Sequence, residues 1–313
     1  MKVWQKTIIG FLMFILVVLI GAVAVGAVFY NDAKKVADSA YEPIERGTPS
    51  LRKEALDYSN SEPFSVLLLG IDTDEVRGSQ TEGRSDSIMV ATINPQKKQT
   101  TLVSIPRDTY TELVGNGTSD KLNHAYAYGG VAMAMSSVEN LLDIPIDHYA
   151  LVNMDGMTDL IDEVGGVDID NHLAFEYEGA NFPLGKIHLE GWQAVKYSRM
   201  RYDDPEGDYG RQKRQRIVLE ALFHELASID NISNYKNLLE VLGNNAKTDL
   251  SWDTIMTLLK KYTPALTTMK TDQLQGEGFD GDGVTGEYQI SYQGIAPDEL
   301  LRVQTLLKEQ LEK

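Results

Sequence analysis

The chain has 313 residues, enough for one large domain or two small ones, and carries 29 basic against 46 acidic residues for a formal net charge of −17. That balance excludes a general nucleic-acid binder, whose phosphate contacts need an excess of Lys and Arg. The sequence contains no cysteine, which excludes a disulfide scaffold, a zinc–thiolate centre and a cysteine nucleophile, and suits work outside the cytoplasm.

Ile8 to Phe29 is an uncharged run of 22 residues, which at about 1.5 Å per residue spans the ~30 Å hydrocarbon core of a bilayer. It predicts a single N-terminal membrane helix after a cytoplasmic tail of residues 1–7, with the acidic remainder exported. The other reading is a signal peptide cleaved near Ala22, Ala24 or Ala27, but such a segment has a shorter apolar core of about 7–15 residues. Residues 30–61, with Pro43, Gly47 and Pro49 and no sustained apolar period, read as a stalk with at most one short helix. The catalytic domain is then expected over residues 62–313.

Phe64–Leu69 is a short apolar run stopped by Gly70, the pattern of a buried central strand. Ile88–Ile93 and Thr100–Ile105 are two more strand-like runs joined through Asn94-Pro95-Gln96-Lys97-Lys98, which predicts a hairpin. The period then changes. Helices are predicted over Gly130–Leu142, Met154–Val164 (closed by Gly165-Gly166) and Asp208–Ile229, with a strand at Tyr149–Val152. Asn231–Lys261 reads as helical in pieces, Thr267–Tyr292 as Gly-rich with short strands, and Pro297–Leu311 as an amphipathic closing helix. Strands mixed with helices in no repeating unit predict an α/β fold, a layered α-β-α domain around a mixed central sheet.

Chemistry concentrates at three places. Five of the 11 arginines (Arg199, Arg201, Arg211, Arg214 and Arg216) fall between 199 and 216. The bland reading is a solvated face paired with Asp203, Asp204, Glu206 and Asp208. Yet the core stripe Val218, Leu222 and Leu226, extended backwards, reaches Gln215 and Arg211. Those two then face inward near a helix N-terminus, where anions are favoured and cations are not, so a bound polyanion explains them better. Second, Asp72 follows the first strand with Asp74 close by, and Arg84-Ser85-Asp86 precedes the next strand. Paired carboxylates beside an anion site commonly hold Mg²⁺ or Mn²⁺ shared with phosphate oxygens; strand-end turn aspartates are the alternative. Third, Ile105-Pro106-Arg107-Asp108 delivers Arg107 out of the sheet edge, because proline stops the strand. Asp280-Gly281-Asp282 lacks the further ligands of a calcium loop, His124 has no nucleophile partner, and there is no Walker or dinucleotide fingerprint.

Six stretches together resemble the LytR-CpsA-Psr family of Gram-positive bacteria: Leu68–Asp72, Gly83–Met89, Ser104–Asp108, Lys121–Tyr126 with Gly129-Gly130, Tyr197–Arg201 and Asp208–Gln215. The resemblance covers residues 62 to 230 well and the last part loosely. It implies an extracytoplasmic phosphotransferase, held by a single-pass helix in the cell membrane. Such an enzyme takes a glycopolymer from an undecaprenyl-pyrophosphate carrier and joins it to peptidoglycan as a phosphodiester. By the same resemblance, Asp72 and Asp86 hold Mg²⁺ (or Mn²⁺). Arg84, Arg107, Lys121, Arg199, Arg201, Arg211, Arg214 and Gln215 bind the pyrophosphate, and Arg107 stabilises charge on the transferred phosphate. Asp72 and Asp108 both remain candidates for the base. The acidic loop 73–83 leaves Asp72 and Asp74 as competing metal ligands, and teichoic acid, capsule or another glycan as the polymer. The resemblance also implies an apolar tunnel for the polyprenyl chain. A pyrophosphate hydrolase and a non-catalytic regulator are the competing functions. With only about seven residues before the membrane helix, the regulator has no room for an internal DNA-binding domain.

Overall fold

The computed structural model describes residues 30–47, 50–72, 84–228, 241, 243, 245–284 and 289–312. The predicted membrane segment and the loop 73–83 with Asp74 lie outside the described residues, and among those described no helix is long and apolar enough to cross a membrane.

The centre is a mixed six-stranded sheet in the order β11-β6-β1-β2-β3-β12. Its strands are β1 (Phe64–Asp72), β2 (Arg84–Asn94), β3 (Gln99–Ser104), β6 (His148–Asn153), β11 (Ala246–Thr248) and β12 (Met269–Gln273). β1, β2 and β3 run antiparallel in turn, while β6 and β12 add in parallel to β1 and β3. The predicted hairpin is present. Pro95 presets its turn, Asn94 Oδ1 accepts from the Lys97 amide at 2.9 Å, and Lys98 takes a positive φ of 52°.

One sheet face presents Leu67, Leu69, Ile71, Ile88, Val90 and Val103 to two helices, α2 (Asn123–Leu142) and α7 (Pro297–Leu311). The other face carries Met89, Ala91 and Leu102, with Leu219 from α5 (Asp208–Ser228) partly covering it. Burying both faces is what makes the strands read as near-continuous apolar runs.

A second core is built from α3 (Met154–Glu163), α4 (Gly191–Arg199), α5 and two hairpins. The hairpins pair β7 (Val167–Asn171) with β10 (Gly185–Leu189) and β8 (Phe175–Tyr177) with β9 (Ala180–Phe182). None of these four strands was expected, though Val167-Asp-Ile-Asp-Asn alternates buried and exposed as a half-buried strand should. Arg216 fastens α5 to the main sheet, donating to Ser104 Oγ at 2.8 Å and Gln273 Oε1 at 3.2 Å.

The segment read as a stalk is packed on the domain. Residues 30–40 form a helix, α1, whose Tyr30 ring meets Trp252 of α6 (Trp252–Lys261) edge-on. Tyr149 Oη donates to Glu42 O at 2.8 Å, Arg46 pairs with buried Glu139 at 2.8 Å, and Arg52 pairs with buried Asp147. Arg46 and Arg52 are therefore neutralised by carboxylates of the domain.

Helix α2 starts seven residues earlier than predicted and is broken at Gly129–Gly130, where Gly130 takes φ 59°, ψ −156°. A Cβ on Gly129 would stand 2.6 Å from Met133 Cβ, so the break needs glycine. Its first segment, Asn123–Tyr128, lacks an apolar period, and its His124 turns to Asp120 Oδ2 at 2.7 Å.

Candidate active site

The antiparallel order puts the end of β1, the start of β2 and the end of β3 on one sheet edge, so all three predicted motifs meet there. The β1–β2 register pairs Asp72 with Arg84 and Ile71 with Ser85, then Gly70 with Ser87, skipping Asp86. Asp86 is thus the extra residue of a β-bulge, a device that re-aims a side chain at a sheet rim. Its Oδ1 lies 2.5 Å from Arg107 Nη1. Asp72 and Arg84 are placed by their backbone alone.

After β3, Pro106 O accepts from Thr109 N at 3.0 Å and Thr109 Oγ1 at 2.7 Å, closing a tight turn that projects Arg107 and Asp108. Three more backbone bonds pin the turn: Asn123 N to Arg107 O at 3.1 Å, Leu122 N to Thr109 O at 2.9 Å and Gln293 N to Asp108 O at 2.8 Å. Lys121, from the hairpin of β4 (Tyr110–Leu113) and β5 (Thr118–Lys121), donates to Asp108 Oδ1 at 2.8 Å. Arg107 and Asp108 therefore sit on a rigid support.

Helix α5 supplies the opposite wall. Arg211 is buried, and its Nη2 lies 2.7 Å from Asp208 Oδ1. The two make an ion pair without an aligned hydrogen bond, so both atoms, with Arg211 Nε, remain without hydrogen-bond partners. Gln215 Oε1, one turn along, and Arg107 Nε and Asn123 Oδ1 are orphaned in the same way. Burial pushes the Arg211 pKa below its ordinary value; Asp208 opposes this, while the positive charges of Arg107 and Arg201 add to it. Burial acts on Arg107 too, but Asp86, Asp108 and Asp208 outweigh it and hold its pKa above the usual value. Arg201 completes the group with its Nε 3.8 Å from Asp208 Oδ1. Three of these atoms are donors (Arg107 Nε, Arg211 Nε and Nη2) and three are acceptors; a buried polar group without a partner costs about 1–3 kcal/mol, which makes the cluster the candidate place for a ligand.

The LytR_cpsA_psr family model matches residues 27–309. The chain belongs to this family. It is 50% identical over 297 residues to the polyisoprenyl-teichoic acid–peptidoglycan teichoic acid transferase TagU of Enterococcus faecalis, covering 95% of this chain and 94% of that one. The crystal structure of B. subtilis TagU superposes with a TM-score of 0.63 at 38% identity, covering 80% of this chain and 98% of that one. A structure of TagT bound to LIIa-WTA superposes at 0.71 with 29% identity, covering 87% of this chain and all (100%) of that one.

Of the residues this family resemblance assigned, Asp86, Arg107, Asp108, Lys121, Arg201 and Arg211 form one connected charged group. Arg199 ends α4 within electrostatic reach of Tyr177. Arg214 is the exception. Its guanidinium donates to Tyr197 O at 3.0 Å and to Met200 O, pairs with buried Asp204, and stacks 5.3 Å over Phe175. With its donors spent on protein, Arg214 holds the α4–α5 connection instead of reaching toward the cluster. Sequence reasoning missed Asp208 as a site residue, having placed it in the salt-bridging background. Its position one turn before Arg211 on the same helix was the available signal.

No group of three or more His, Asp or Glu is arranged to hold a metal among the described residues. Mg²⁺ does not need three, because it takes one or two protein carboxylates and fills its octahedron with water and phosphate oxygens. Asp86 on its bulge, and Asp72 paired with Arg84 across the same strands, fit that donor set.

Proposed function

We propose that this protein is a membrane-anchored phosphotransferase that moves a teichoic acid from a polyprenyl-diphosphate carrier to peptidoglycan, with Mg²⁺ held by Asp72 and Asp86. The observation that carries this is the cation group of buried, under-bonded Arg211 with the partly exposed Arg107 and Arg201 beside it, which matches a diphosphate in charge. The names of the relatives supply the polymer and the acceptor.

The acceptor hydroxyl oxygen attacks the phosphorus that bears the polymer. The bridging P–O bond to the carrier phosphate breaks, a polyprenyl monophosphate leaves, and the acceptor proton passes to a carboxylate. Asp108, oriented by Lys121 on the pinned turn, is the candidate we favour as proton acceptor. Arg107 neutralises the equatorial oxygens as charge builds, and Arg211 with Gln215 holds the leaving phosphate. Such positioning and neutralisation supply most of the catalysis in phosphoryl transfer. Mg²⁺, when bound, adds Lewis-acid neutralisation of the diphosphate. The uncharged run Ile8–Phe29 is the motive for placing the domain outside the membrane, where protease added to protoplasts should digest it.

The test is reconstitution of the full chain with a polyprenyl-diphosphate teichoic acid and peptidoglycan oligomers. Polymer joined to peptidoglycan by a phosphodiester, lost in Arg107→Ala and in chelator, supports the proposal. Free polyprenyl phosphate with unattached polymer would make the protein a hydrolase. Unchanged turnover in chelator would remove the metal.

A further inference from the structure

Beside the charged cluster lies a face of a different chemistry. Tyr110 opens β4, and Phe279 and Tyr292 stand opposite each other on β13 (Glu277–Gly281) and β14 (Ile290–Gly294). The Phe279 and Tyr292 rings stack at 5.4 Å, and Tyr110 meets both edge-on, at 5.7 Å and 5.1 Å. Tyr292 is buried, but Tyr110 and Phe279 stay 45% and 41% exposed. Unlike a lone exposed ring, these two are packed on a buried third and together present one apolar face.

The face is built in advance. A Cβ on Gly281 would come within 3.2 Å of the Tyr292 ring, and one on Gly294 within 3.3 Å of the Phe279 ring. Glycine at both positions lets the rings lie close over the opposite strand. Tyr292 Oη donates to Asp120 Oδ1 at 3.2 Å, fixing the ring plane.

The face is also continuous with the reacting centre. Gln293 donates its amide to Asp108 O at 2.8 Å, Tyr110 pairs with Lys121 across β4–β5, and Lys121 Nζ sits 5.7 Å over the Tyr292 ring while donating to Asp108. Asp108 is thus the junction between the aromatic face and the cation cluster.

We infer that Tyr110 and Phe279, supported by Tyr292, form the acceptor subsite, stacking a pyranose ring of the peptidoglycan glycan strand so that a sugar hydroxyl meets Asp108. This rests on the transferase reading above. The C–H face of a pyranose stacks on aromatic rings, and its hydroxyls need acceptors at the edge. Strand alternation puts exposed Glu112 and Glu277 on the same faces as Tyr110 and Phe279. Those carboxylates accept from hydroxyls and repel a polyanionic donor polymer, which selects the neutral glycan as occupant.

The probe is chitotetraose, a neutral N-acetylglucosamine oligomer, titrated into the full chain in detergent and followed by calorimetry. Wild type should bind it. Tyr110→Ala and Phe279→Ala should weaken binding about five- to tenfold, as loss of one aromatic contact implies, and Tyr110→Trp should retain it. In the transfer assay the alanine variants should raise the acceptor KM and leave the donor KM unchanged. Equal binding by wild type and both alanine variants, or no binding by wild type at millimolar sugar, overturns the proposal. Competition by poly(glycerol phosphate) would also overturn it, assigning the face to the donor. If chitotetraose binds as expected while a polyprenyl diphosphate does not stabilise the protein, the transferase reading fails and the glycan site stands.

Discussion

Arg211 and Arg214 are three residues apart on one helix, both buried, and the structure gives them opposite roles. Arg211 bears a burial penalty that Asp208 only partly offsets, whereas Arg214 has a partner for each donor group. Arg211→Ala should therefore leave the ligand-free protein as stable as wild type or slightly more so. Arg214→Ala strands buried Asp204 and should cost about 3–5 kcal/mol; chemical denaturation measures both. Asp120 provides a pH test. Burial would raise its pKa, but hydrogen bonds from His124, the Lys121 amide and Tyr292 win and hold it below the usual value. A depressed carboxylate contributes stability above its unfolded pKa of about 3.9 and loses it as pH falls through the folded value. Asp120→Asn should accordingly be less stable than wild type at pH 7, and the gap should close as the pH drops below about 4.

At the scale of elements, the break in α2 separates a helix that packs from a turn of helix that carries His124 onto Asp120 and the Asn123 amide onto Arg107 O. Gly130→Ala forces a side chain into a strained backbone region and should lower stability by about 1–3 kcal/mol in denaturant titrations. This break also shows what a sequence conveys. Gly130–Leu142 was legible as a helix because it packs with a helical period, but the stretch before it was not, since its residues answer to Asp120 and Arg107. The sheet strands and closing helix were legible for the same packing reason, as were Asp86, Arg107 and Arg211, each placed by a strand end or a helix stripe. Arg214 came from the family resemblance alone, and a motif match does not convey that its guanidinium lies against the Tyr197 and Met200 carbonyls and Asp204. The β7–β10 hairpins were missed because their strands are three to five residues long, too short for periodicity to emerge.

On the scale of the whole molecule, α5 joins the two cores. Leu219 lies on the main sheet, Val218 and Leu222 lie in the second core, and the helix start holds Asp208 and Arg211 against the β3 turn. The charged cluster is therefore held between two separately packed bodies, which keeps like charges close without ligand. A diphosphate that binds there should stabilise the fold by linkage, about 2.7 kcal/mol when ligand is ~100 times its dissociation constant. The direct measurement is the melting temperature of the full chain with and without a polyprenyl diphosphate and Mg²⁺. A clear rise in wild type that is largely lost in Arg211→Ala, with the ligand-free variant as stable as wild type, is the expected result. An equal rise in both proteins, or none in wild type, would contradict a diphosphate site at this cluster.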